Sequence, residues 1–283
     1  MKNIRRPAVA GQFYPEDPKE LTALIDKIYA AEKDNIRLGL AQKKLLGGIA
    51  PHAGFTFSAY QAIHLFDIIR HHPVRFDTFF IINPSHTGVG HDIAYDSSDF
   101  WESPLGMVSV DKDFSEHLRL PVSRKEEERE HSGEVMIPLM QHFLDYEFQI
   151  APVTLTLQNH KNARKLAKAI YETNKKLNKK ILIIASSDFS HFETSKVGRE
   201  KDQLVLDKIE NLDAPGVEQA VQEHHISVCG FGPIMTLIEY AGLVSKNPHP
   251  QILKRGSSGD IIPSNEVVDY VSVLFYEEPV QGD

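Results

Sequence analysis

"KKILIIASSDFSHF", residues 179 to 192, decides how the chain folds. Ile181, Leu182, Ile183 and Ile184 form an unbroken apolar run, and Ser186, Ser187, Asp188, Ser190 and His191 follow at once. An apolar run without alternation marks a strand buried on both faces, as in a parallel sheet covered by helices. Three more runs share that character: "KLLGGIA" (44 to 50), "DTFFIIN" (77 to 83) and "FQIAPVTL" (148 to 155). Helical patterns lie between them, "SAYQAIHLFDIIRHH" from Ser58, "EVMIPLMQHFL" from Glu134 and "KNARKLAKAIYETNKKL" from Lys161. This alternation predicts right-handed crossovers and an α/β fold, a mostly parallel central sheet flanked by helices.

The flanking segments are consistent with that plan. "YPEDPKELTALIDKIYAA" predicts a helix with Asp17 as cap, Pro18 in the first turn and Glu20 at capping-box spacing. "HDIAYDSSDFWESPLGMVSV", between Gly90 and Val110, reads as a strand pair inserted into the α/β order. Helices are expected over 199–211, 215–224 and 230–241, and a last strand over 266–276. There is no fixed-period repeat and no linker.

Three of the buried strands end alike. "LLGGIA" runs into Pro51-His52-Ala53-Gly54, "FFIIN" into Pro84-Ser85-His86, and "ILIIAS" into Ser187-Asp188-Phe189-Ser190-His191. Ligands of open α/β sheets gather beyond the carboxyl ends of the strands. Parallel neighbours would therefore bring His52, His86 and His191 to one rim. Imidazoles gathered in that way suit iron, zinc, copper or nickel, and two histidines with a carboxylate suit non-haem Fe(II). The histidines in helical segments or at their ends (His64, His71, His72, His142, His160) are expected to pack or to face solvent.

Composition limits the function classes. Asp and Glu number 39 against 31 Lys and Arg, a net charge of −8, with 41% hydrophobic residues. An acidic chain without a long basic run is a poor nucleic-acid binder. The apolar runs fall well short of a membrane span, residues 1–20 lack a signal-peptide layout, and the lone cysteine, Cys229, fits a reducing compartment. Together these predict a cytoplasmic protein without membrane partners. The charge cluster "SRKEEEREHSGE" (123 to 134) mixes both signs, and Lys125 to Arg129 read as a solvated segment. No G-x-S-x-G elbow, phosphate loop, H-E-x-x-H or dinucleotide glycine fingerprint is present.

Seven stretches in order resemble the Memo family, also labelled AmmeMemoRadiSam system protein B. They are "RRPAVAGQFYP" (5 to 15), "GGIAPHAGFTFS" (47 to 58), "INPSH" (82 to 86), "SPLGMVSVD" (103 to 111), "EHSGEVMIPLMQ" (130 to 141), "ASSDFSHF" (185 to 192) and "VCGFGPI" (228 to 234). The resemblance implies a single Memo-like domain over residues 1–283, related in fold to class III extradiol dioxygenases. It implies a metal site of His52, His86 and Cys229, with Asp188 and His191 as further ligands or acid/base groups. His131 would be a second acid/base group, with Glu134, Ser187 and Phe57 lining the pocket. Phe57 stands where relatives can carry tyrosine, which removes a hydroxyl donor.

From the residues alone, a lone cysteine before glycine reads as an inert buried group; the resemblance makes Cys229 a ligand. Its thiolate favours Fe, Cu or Zn over Mg or Ca, and replaces the carboxylate of extradiol enzymes. The expected activity is redox chemistry on a small molecule, with Fe(II) first and copper or zinc next. The family label associates it with radical-SAM and AMMECR-type proteins. Two alternatives stay open: a non-catalytic peptide-binding adaptor or metal-sequestering protein, and a Zn-dependent hydrolase.

Overall fold

The computed structural model describes residues 2–279. Its strands are β1 (Ile4–Arg5), β2 (Lys44–Ala50), β3 (Thr78–Pro84), β4 (Ile93–Asp96), β5 (Phe100–Ser103), β6 (Gly106–Val110), β7 (Val122–Ser123), β8 (Gln149–Leu155), β9 (Ile181–Ser186), β10 (His191–Glu193), β11 (Pro248–Ser257) and β12 (Val267–Glu277). They form one mixed sheet in the order β1-β5-β6-β8-β3-β9-β2-β12-β10, with β11 on β12 and β4 on β8 and β7.

The four apolar runs are the centre of this sheet. β8, β3, β9 and β2 lie side by side and parallel. Apart from the first residue of β2 and of β8, every position in them is buried. Successive side chains of a strand point to opposite faces, and β2 shows what covers each. A Cβ on Gly47 would meet Leu237 of helix Phe231–Val244, and one on Gly48 would meet Leu65 of helix Phe55–Arg70. Helices therefore close both faces, which is why these strands carry no polar alternation.

Outside the centre the sheet turns antiparallel. β12 pairs antiparallel with β2, and β11 with β12. β11 escapes a reading from sequence because "PHPQILKRGS" holds two prolines and is only partly buried, as an edge strand permits. The insertion between Gly90 and Val110 holds three strands where a pair was expected: β4 runs antiparallel to β8, and β5 and β6 form the hairpin. Helix Pro18–Glu32 starts where expected, with Asp17 accepting from the Lys19 and Glu20 amides. Glu20 is exposed and makes no return bond, so the cap is one-sided. The later helices are Ser195–Glu210, Ala214–Glu223 and Phe231–Val244. Among the described residues no helix is long and apolar enough to cross a membrane.

Candidate metal centre

β2, β9 and β3 end level with one another, because Ile49 and Ile82 both register with Ala185 of the strand between them. His52 and His86 each lie two positions beyond the last residue of their strand. Their rings lean together over the end of β9, with centroids 5.2 Å apart and planes at 83°. Cys229 arrives from the other direction, in the turn that precedes helix Phe231–Val244. Its Sγ is 3.2 Å from His52 Nε2. One donor atom from each of His52, His86 and Cys229 lies within 4.8 Å of the other two.

Gly230 makes the approach of Cys229 possible. A Cβ at this position would sit 2.2 Å from the Ser186 carbonyl oxygen and 2.6 Å from Ser187 Cβ. The Gly230 amide donates to Ser187 Oγ at 2.9 Å, and Gln158 donates to the Cys229 carbonyl at 2.7 Å. Ser187 is thus a buried post under this turn. Gly230→Ala is expected to cost about 1–3 kcal/mol through overpacking and to raise the reaction rate of Cys229 with a thiol reagent. An unchanged melting temperature and thiol reactivity would show that the turn has slack.

The two imidazoles are fixed by their other nitrogens. Ser186 Oγ lies 2.7 Å from His52 Nδ1 and 2.6 Å from the Ser132 carbonyl. The carbonyl can only accept, so the one hydroxyl proton goes to Ser132 and Ser186 accepts from His52 Nδ1–H. The Nε2 lone pair then faces Cys229. Glu130 performs the same service for His86, accepting from Nδ1 at 2.8 Å and from the backbone amide at 2.6 Å. It also accepts from the His131 amide, the Ser132 amide and Ser132 Oγ. Burial alone would raise the Glu130 carboxyl, but the His86 and Ser132 bonds hold it down at about 2. With its oxygens so occupied, Glu130 orients the His86 imidazole, although His86, Glu130 and His131 also stand close together.

Burial pushes the His52 imidazole well below its ordinary range, helped by the nearby His131, His86 and His191 rings, so it is neutral. Burial would lower His86 too, yet its bond to Glu130 raises it. Burial and the Asp188 charge push the Cys229 thiol well up, although the Asp188 amide donates to Sγ at 3.2 Å. Asp188 itself is raised by burial to about 6. Its Oδ1 accepts from the His52 amide at 2.8 Å, and its Oδ2 stands 4.0 Å from His52 Nε2.

The remaining expected residues divide. His131 joins the group, its ring 4.5 Å from His86 and 5.5 Å from His52, backed by Phe13 at 4.7 Å. His191 falls outside the 4.8 Å group. Its Nδ1 is 2.9 Å from the Ser227 carbonyl, and its strand turns aside at Phe192, where φ is +58°. Glu134 does not line the cluster; its oxygens accept from Arg5 Nη1, the Ala8 and Val9 amides and Tyr14 Oη. Phe57 is half-buried in the first turn of helix Phe55–Arg70, and the aromatic ring found against His131 is that of Phe13.

The solvated reading of Lys125 to Arg129 fails at two positions. Glu126 and Glu127 are buried, because His91 and Thr154 donate to their carboxylates and Arg5 Nε binds the Glu127 carbonyl. Burial lifts the Glu127 carboxyl to about 8. Glu130, Ser132 and Phe13 are the site residues that pattern reading misses, whereas Ser186 belongs to the polar stretch after β9 that the sequence singles out.

A family model described as Memo-like protein matches residues 5–274. The chain belongs to the Memo family. It is 32% identical over 275 residues to a MEMO1 family protein of Methanosarcina barkeri, covering 96% of this chain and 99% of that one. A MEMO1 family protein of Pyrobaculum aerophilum is 35% identical over 286 residues with the same coverage. These relatives are named for the Memo family and not for a reaction. Among solved structures, an uncharacterized protein of Escherichia coli K12 aligns with a TM-score of 0.49 and 11% identity, covering 75% of this chain and 91% of that one.

Proposed function

We propose that this Memo chain is a metal-binding redox protein in which His52, His86 and Cys229 hold Fe(II), with copper or zinc as the competing ions, and a small molecule is the substrate. The observation that carries this reading is the three convergent donors, two of them imidazoles whose Nδ1 atoms are already engaged by Ser186 and Glu130. The 3.2 Å separation of His52 Nε2 and Sγ is close to the roughly 3.5 Å kept by two donors on one ion with bonds of about 2.0–2.3 Å. Histidine–carboxylate pairing is how metal-ligating imidazoles are oriented and made more basic. A thiolate with two imidazoles selects iron, copper or zinc over magnesium or calcium.

The bound ion would supply the redox or Lewis-acid chemistry. The chain's own groups do the rest. Asp188 is placed beside His52 to orient a ligand or move a proton, and His131 faces the same space from the other side. The His86 side chain is 36% exposed, so substrate enters there. Phe13, its ring tilted at 47° to His131 with the centroids 4.7 Å apart, would form one wall.

The test is anaerobic loading with Fe(II), followed by X-ray absorption at several metal edges and measurement of O2 uptake. One iron per chain with uptake that depends on added small molecules supports the reading. A colourless zinc protein that cleaves esters or amides would replace it with a hydrolase. Metal without turnover, together with peptide affinity lost in His86→Ala, would replace it with an adaptor. Ser186→Ala and Glu130→Gln are each expected to weaken metal affinity about 10–100-fold, measured by chelator competition. Unchanged affinity would mean that the Nδ1 partners do not matter to the ion.

A further inference from the structure

A second pair of acids is buried behind the loop that carries Asp188 and His191. Asp202, on helix Ser195–Glu210, is fully buried, and Asp269, on β12, is 4% exposed. Asp202 Oδ1 accepts from the Ser190 amide at 3.0 Å and from Ser190 Oγ at 2.6 Å. Asp202 Oδ2 and Asp269 Oδ2 find no donor among the described residues, yet the two carboxyls stand within hydrogen-bond reach of each other. Two carboxylates cannot bond to one another. One proton between them turns two orphan acceptors into a donor and an acceptor, and relieves the repulsion of two buried like charges.

The surroundings leave little alternative. Helix Ser195–Glu210 comes so near at Gly198 that a Cβ there would lie 2.4 Å from Asp269 Oδ2. Arg199 on the same helix and Arg255 on β11 face the pair, but neither forms an ion pair with it; Arg255 Nη1 bonds Gln203 Oε1 at 2.9 Å. Tyr270, next along β12, feels both Asp188 and Asp269. On β10, Glu193 is paired with Lys201, and His191 is held at Ser227. The loop backbone is clamped on the pair from both sides. The Phe189 amide donates to the Asp269 carbonyl at 2.9 Å, and the Asp269 amide to the Ser190 carbonyl at 2.8 Å.

We infer that Asp202 and Asp269 share one proton, and that this proton positions residues 188–191 against the sheet. The pair is a positioning device for Asp188 and His191, and only its importance to chemistry rests on the metal reading above. Burial, then the Asp202 charge, raises Asp269 to about 7, and burial raises Asp202. In the unfolded chain both acids titrate in the ordinary aspartate range. Between that range and about pH 7 the folded chain keeps a proton that the unfolded chain has lost. The stability is therefore fully present below the ordinary aspartate range and is lost as pH rises toward 7, after which the loss levels off. The slope is at most about tenfold in the unfolding equilibrium per pH unit for one proton.

Asp269→Asn replaces the shared proton with an amide donor and removes the titration. Denaturant unfolding of the wild type and this variant from pH 5 to 8 is expected to show a stability difference that grows in the variant's favour up to near pH 7 and then stays constant. Corrected amide exchange at residues 189 and 190 is expected to accelerate over the same interval in the wild type alone. Carbon-13 titration of the wild-type aspartate side chains decides the matter even if the variant folds poorly. It should show two coupled carboxyl signals, one of which stays protonated to about pH 7. Both signals titrating in the ordinary range, or a stability difference flat with pH, would overturn the inference. None of these readouts involves a metal, so failure here is distinguishable from failure of the metal assignment.

Discussion

Glu134→Ala is expected to destabilise the fold by about 3–5 kcal/mol, the range for removing one partner of a buried ion pair. Arg5 and Glu134 are each only 1% exposed, with Nη1 and Oε2 2.7 Å apart. The guanidinium also lies 4.3 Å over the Trp101 ring and reaches the Glu127 and Glu130 carbonyls. Without the carboxylate, that charge stays buried among carbonyls and an aromatic face, and the Ala8 and Val9 amides and Tyr14 Oη lose their acceptor. Glu134→Gln should recover only part of the loss. Its amide nitrogen would face either Arg5 and Ala8 or Val9 and Tyr14, and all four of those groups are donors. The effect should spread to the cluster, because the Glu134 bonds set the course of residues 5–14, which bring Phe13 against His131. Urea unfolding measures the first effect, and the His131 ring proton shifts report the second. A loss under about 1 kcal/mol would mean that water or another group takes over the pairing, as at exposed ion pairs.

The central strands are legible because burial on both faces leaves short apolar runs, and those runs alternate along the chain with helical patterns. The convergence of His52 and His86 is legible for a related reason. Parallel strands in register end on one edge, so histidines just after two strand ends must meet. At His191 the argument brings the residue near without joining it to the group: it lies close enough to act on His52 and Asp188, yet its Nδ1 faces the Ser227 carbonyl and it falls outside the donors gathered within 4.8 Å. Cys229 lies 177 positions from His52 and approaches from a helix start, a route that strand ends do not encode. Only the resemblance carried by "VCGFGPI" points to it. Glu126 and Glu127 look solvated because the groups that stabilise them, Arg5, His91 and Thr154, are scattered along the chain. A carboxylate's burial depends on partners that its neighbours in sequence do not reveal.

His52→Ala and His86→Ala are each expected to lower metal affinity by roughly two to four orders of magnitude, about a third of the 10–16 kcal/mol with which full protein ligand sets hold zinc. The two should differ in what happens to the fold. His52 is buried to 1% exposure between Ser186 and Asp188, so its removal leaves a cavity and costs stability on the scale of a large-to-small core substitution. His86 is on an exposed loop beyond the sheet, and Glu130 keeps the His86, His131 and Ser132 amides and Ser132 Oγ as donors after the imidazole is gone. His86→Ala should therefore melt near the wild-type temperature while losing its ion. Cys229→Ser should shift selectivity more than stability, weakening copper and zinc most because the hydroxyl is a hard donor. Metal analysis after dialysis, paired with thermal unfolding of the same samples, separates these outcomes. Full occupancy in folded His86→Ala would remove that residue from the ligand set. The ion would then have to be held by Cys229 and His52 alone or with Asp188, whose Oδ2 already stands 4.0 Å from the buried imidazole.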